Sequence, residues 1–128
     1  MCPKYAARKY FHGTPDIMTP TTSSAALRVA IIGDHFMRPE YFQQAIEALP
    51  SSGHRFDFRH LTLDWPDAPF VHGTPGTATE GLRELLGDPD DMATFIGDAQ
   101  VLITHLSPVT ASMLTRCPAL QLIAVSRG

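Results

Sequence analysis

The chain has 128 residues, 44% of them hydrophobic and 18% charged, with a formal net charge of -3. That length suits one hydrophobic core rather than two, and a slightly acidic balance gives no electrostatic reason to expect nucleic acid or an anionic membrane as partner. Two cysteines, Cys2 and Cys117, offer neither a bridge framework nor metal-ligand spacing, so a reducing, cytoplasmic location is expected, and no apolar run approaches the roughly 20 residues of a membrane span.

The opening stretch "MCPKYAARKYFHGTPDIMTPTTSSAA" lacks the continuous apolar segment of a secretory signal and has no apolar period, so residues 1–26 read as a flexible extension outside the core. From Leu27 the composition changes. "LRVAIIG" is a short, β-branched apolar run ended by glycine, as expected of a strand covered on both faces. After the loop "DHFM", Pro39 suits a first helical position, and Phe42, Ala45, Ile46 and Leu49 recur on one face of a helix ending near Pro50. "RFDFRHLTL" alternates as a half-exposed strand does, which places it at or near a sheet edge.

A Pro- and Gly-rich connection follows. Thr77 with Glu80 three residues on then has the form of a capping box, and Leu82, Leu85 and Leu86 would be the buried stripe of its helix. Asp88-Pro89 announces another helix, with Met92, Phe95 and Ile96 on one face and Gly97 as its stop. "QVLITH" is the next buried strand, Thr110 caps a helix through about Arg116, Pro118 ends it, and "LQLIAV" is the last strand.

Strands alternating with helices imply parallel pairing through right-handed crossovers, hence an α/β, three-layer, flavodoxin-like parallel sheet over residues 27–128. Ligands of such sheets bind outside the carboxyl ends of the strands, which directs attention to Gly33–Met37, Thr104–Pro108 and Ser126–Gly128. "GDHFM" is weak as a phosphate or metal loop, and "HGTPGT" lacks the Lys-Ser or Lys-Thr ending of a P-loop. His54, His60 and His72 are scattered, so no metal site is expected. "THLSP" is more informative, because a strand end leading to a helix start presents free N–H groups beside His105 and Ser107; equally, Ser107 could merely cap a turn while His105 stands in solvent. In "VSRG", Arg127 can grip an anion through its forked donors and Gly128 lets backbone approach a ligand. A receiver-domain reading fails for want of its acidic cluster, aspartate and lysine, and no G-x-G-x-x-G run grips NAD.

The segment "DAQVLITHLSPVTASMLTRCPALQLIAVSRG" resembles the N-terminal substrate-binding region of the D-isomer-specific 2-hydroxyacid dehydrogenases, the phosphoglycerate dehydrogenase-like family. The likeness covers residues 28–128 in layout, is residue-specific from Asp98 onward, and contains no catalytic motif. It implies part of a two-domain enzyme that moves a hydride between NAD or NADP and a small 2-hydroxy or 2-keto acid, working as a homodimer. The cofactor domain and the catalytic Arg, Glu and His would then lie beyond Gly128, leaving this chain alone inactive and without cofactor. Substrate would be held by the loops of His105, Leu106 and Ser107 and of Ser126, Arg127 and Gly128. His105 stands where many members carry arginine, which bears on the acid preferred. The rival classes are a stand-alone flavodoxin-like ligand-binding or interaction module and a flavin carrier, the latter disfavoured because "GDHFM" lacks the Ser and Thr that wrap a phosphate.

Overall fold

A computed structural model describes residues 25–50, 53–67 and 72–127. The chain runs β1 (Leu27–Asp34), α1 (Pro39–Glu47), β2 (Phe56–Leu63), α2 (Pro89–Ile96), β3 (Val101–Thr104), α3 (Ala111–Arg116) and β4 (Leu122–Val125). The four strands form one sheet in the order β2-β1-β3-β4, every pair parallel. Val29 faces Phe58 on one side and Val101 on the other, and Val101 in turn faces Leu122. The α/β architecture expected from the alternation of elements is therefore present, with β2 outermost. Of the extension assigned to residues 1–26, all but Ala25 and Ala26 lie outside the described residues.

Chain direction determines the layers. From β1 the path goes one way across the sheet to β2, then reverses over β1 to β3 and on to β4. Right-handed crossovers send α1 to one face and α2 and α3 to the other. The buried cluster agrees: Ala30, Ile32 and Leu102 of the central strands pack with Met92, Ala93 and Ile96 of α2, Met113 of α3 and Cys117. Val29 and Ile31, on alternate positions of β1, are also buried, which accounts for the unbroken apolar run there.

Local chemistry sets the helix ends. Asp88 caps α2, one carboxylate oxygen accepting the Asp90 and Asp91 N–H groups at 2.8 and 3.3 Å, and Gly97 closes it at φ +52°. Thr110 caps α3, its hydroxyl oxygen accepting the Met113 N–H at 3.3 Å. α1 stops at Glu47, short of the expected end, so Leu49 falls outside the helix and is 65% exposed.

The helix expected from Thr77 to Leu86 does not form. The Thr77 hydroxyl donates to the Thr74 carbonyl at 2.7 Å and the Glu80 carboxylate accepts the Gly76 N–H at 2.8 Å, so the capping-box residues close turns instead. Gly81 at φ +82° and Glu84 at φ +51° lie in the left-handed region, which an α-helix excludes. Of the three leucines only Leu86 is buried, where its N–H donates to the Leu106 carbonyl at 2.9 Å. This irregular segment reaches the carboxyl edge of the sheet rather than covering a face.

Candidate functional site at the carboxyl edge

The order β2-β1-β3-β4 reverses direction between β1 and β3, and open α/β sheets bind ligands at the carboxyl ends of the strands flanking that reversal. β1 ends there in Asp34, and His105 follows β3 directly. Asp34 is fully buried. One of its carboxylate oxygens accepts the backbone N–H groups of Phe36 and Met37, both at 2.8 Å, and the other meets His105 Nδ1 at 2.6 Å. Burial pushes the Asp34 carboxyl up, but the Met37 N–H, His105 and the Phe36 N–H together outweigh it and hold the group below its ordinary value. The acid is therefore an anion at neutral pH, locked on three donors.

The turn that supplies two of those donors depends on Gly33. A Cβ there would lie 2.3 Å from the Met37 carbonyl oxygen and 2.7 Å from the Pro39 ring, so only glycine allows the chain to fold back on β1 and close the Asp34 N–H to Met37 carbonyl bond of 3.0 Å. On the solvent side Phe36 stacks near the His105 ring at 6.3 Å between centroids and stands 6.4 Å from the Trp65 ring. Phe36 is 70% and Trp65 44% exposed, so the histidine sits under an aromatic rim.

His105 also lines a cavity of about 480 Å³, together with Leu106, Ser107, Val125 and Arg127, with Arg83 and Glu84 among the residues facing them. Four of the six residues singled out in the sequence thus share one cavity, each in a different role. Leu106 is 5% exposed and belongs to the hydrophobic core, so it contributes an apolar wall. The Ser107 N–H donates to the buried Thr104 hydroxyl at 3.2 Å and its own hydroxyl to the Pro108 carbonyl at 3.2 Å, which shapes the loop. Arg127 donates to the Glu84 carboxylate across the cavity. Both side chains are about two-fifths exposed, and an ion pair so exposed is worth little, so an incoming carboxylate can compete for the guanidinium. Ser126 is not on this wall; its N–H donates to the Thr104 carbonyl at 3.0 Å. Gly128 lies outside the described residues.

Asp34 is the residue the sequence reading passed over, as one acid in a weak loop. The signal was positional: an acid and a histidine at the carboxyl ends of two apolar strands become neighbours once those strands are adjacent. Among the described residues no three His, Cys, Asp or Glu side chains gather as a metal site, and no helix is long and apolar enough to cross a membrane. Compared with protein-family models, with curated proteins and with solved structures, the chain matches none.

Proposed function

We propose that this chain is the substrate-binding half of an NAD(P)-dependent oxidoreductase acting on the CH–OH group of a small D-2-hydroxy acid. The observation that carries the reading is the convergence of His105, Ser107 and Arg127, from loops after β3 and β4, on one cavity at the carboxyl edge of the sheet. These are loops to which the family resemblance assigns substrate. Their chemistry suits a small acid: a guanidinium for the carboxylate, an imidazole for a neighbouring polar group, and Leu106 and Val125 for the carbon skeleton.

The described residues do not fit the dinucleotide itself. In the turn after β1, where a dinucleotide fold would present N–H groups to a pyrophosphate, those of Phe36 and Met37 already donate to the Asp34 carboxylate. A second, repelling anion has no place there. NAD or NADP would be held by a separate domain, and this half would hold the acid in a fixed orientation against it.

Titration of the ¹⁵N-labelled chain with D-lactate tests the site. Saturable amide shifts at Leu106, Ser107 and Arg127 are expected, with Kd in the millimolar range, about -4 kcal/mol, for a ligand met by half a cleft. Shifts confined to other surfaces would overturn the reading. Reading the encoding gene past Gly128 tests the reaction class: the resemblance requires a Gly-x-Gly-x-x-Gly segment, and a stop codon would favour the stand-alone module.

A further inference from the structure

We infer that Asp34 is a positioning residue that sets which proton His105 carries, and thereby makes the site select a ligand hydroxyl over a ligand carbonyl. The inference rests on the reading of the cavity as a hydroxy-acid site. It begins with the Asp34 carboxylate, which has no exposure and is held at both oxygens. An ionised carboxylate has only lone pairs to offer, so the His105 nitrogen 2.6 Å from it must carry a proton. In the neutral imidazole that leaves Nε2 bare.

Nε2 is then the ring's free functional atom. No partner for it is found among the described residues, and it is not a buried, unsatisfied nitrogen. His105 is one of the residues lining the cavity, and its side chain is only 9% exposed, so it is held rather than swinging in solvent. A bare Nε2 accepts a hydrogen bond. A 2-hydroxy acid can donate one from its hydroxyl, whereas a 2-keto acid has only a carbonyl there, whose lone pairs would face the lone pair on Nε2. The difference is a hydrogen bond made or an unmatched pair of acceptors, on the order of fivefold in affinity.

The same geometry dictates what Asp34→Asn does. The oxygen that accepts the Phe36 and Met37 N–H groups must remain an oxygen, so the asparagine NH₂ takes the place that faces His105. Facing a donor, Nδ1 must give up its proton, and the ring moves it to Nε2. The site atom changes from acceptor to donor, and the preference should turn from hydroxyl to carbonyl. Loss of one negative charge strengthens binding of both acids alike, so the ratio of affinities isolates the tautomer from the charge.

Long-range ¹H–¹⁵N spectra of the chain test the first step, recorded at an alkaline pH where the ring's own ¹⁵N shifts report it neutral. His105 should show the Nδ1–H tautomer in the wild type and the Nε2–H tautomer in Asp34→Asn. Titrations with D-lactate and with pyruvate at that same pH test the second: D-lactate should bind on the order of fivefold tighter to the wild type, with the order reversed in the variant. Wild-type His105 as the Nε2–H tautomer, or an unchanged tautomer in folded Asp34→Asn, would overturn the inference. So would equal affinity of the wild type for the two acids, a measurement that stands even if the variant does not fold. Binding of neither acid would instead remove the hydroxy-acid reading and the selectivity with it, while the tautomer still decides what Asp34 does to His105.

Discussion

Asp34 is a carboxylate taken entirely out of water, and such a group stabilises a fold only while all its acceptors are used. Asp34→Ala would leave the Phe36 and Met37 N–H groups and His105 Nδ1 without their acceptor, and should cost about 3 to 5 kcal/mol. Urea unfolding of the variant should show this as a lower midpoint at unchanged slope. The pH dependence follows from the same contacts. The folded-state pKa lies below the ordinary value near 3.8, so the unfolded chain binds the proton more readily; the contribution of Asp34 is complete above that value and is lost as pH falls through the folded one. Urea midpoints between about pH 6 and pH 3 should therefore fall more steeply for the wild type than for Asp34→Asn. Cys117 presents the opposite case: burial pushes its thiol up from an ordinary value of 9.0 despite nearby Arg116, and its Sγ donates to the Ala93 carbonyl at 3.5 Å. Iodoacetamide should label it at neutral pH only at the rate of unfolding, and fast labelling of the native chain would contradict its burial.

The turn between β1 and α1 shows how an element boundary serves the site. Gly33→Ala would drive a methyl group into the Met37 carbonyl and the Pro39 ring, and relief requires opening the turn that carries two of the Asp34 donors. The expected cost is about 3 kcal/mol, and thermal unfolding would measure it. Asp88→Ala, which removes the α2 cap, should cost about 1 kcal/mol by the same measurement and leave D-lactate binding unchanged, because that end of α2 makes no part of the cavity wall. The segment from Thr77 to Leu86 departs from its helical spacing for an identifiable reason. Leucines at 82, 85 and 86 have helical spacing, but spacing reports only which side chains could share a face, and here backbone at Gly81 and Glu84 is left-handed. The leucines are instead drawn to the β3 loop, where the Leu86 N–H bonds to the Leu106 carbonyl.

Across the whole molecule, among the described residues, β1 and β3 are paired on both sides, whereas β4 is paired on one side only, with Leu122 and Val125 more than half exposed. Amide exchange should therefore be slowest in Val29–Ile32 and Leu102–Thr104 and clearly faster in β4; equal protection in β4 would mean that its edge is covered in solution. Strands, crossover helices and the edge position of β2 were legible in the chain because local periodicity and capping residues act over a few positions. "LRVAIIG" is apolar on both faces, and "RFDFRHLTL" is not. The loops of His105 to Ser107 and of Arg127 followed from the same reading, since an alternating α/β pattern already places strand ends on one edge. What no local pattern contains is a contact between residues 71 positions apart, and the Asp34–His105 bond is one. It exists because β1 and β3 lie side by side, with Ile32 opposite Thr104, so that the residues leaving both strands meet. The same holds for Glu84 on Arg127, 43 positions away. The elements follow from interactions between near neighbours in the chain; the site follows from strand order, which depends on burying both faces of the sheet at once and is decided only when the whole chain has packed.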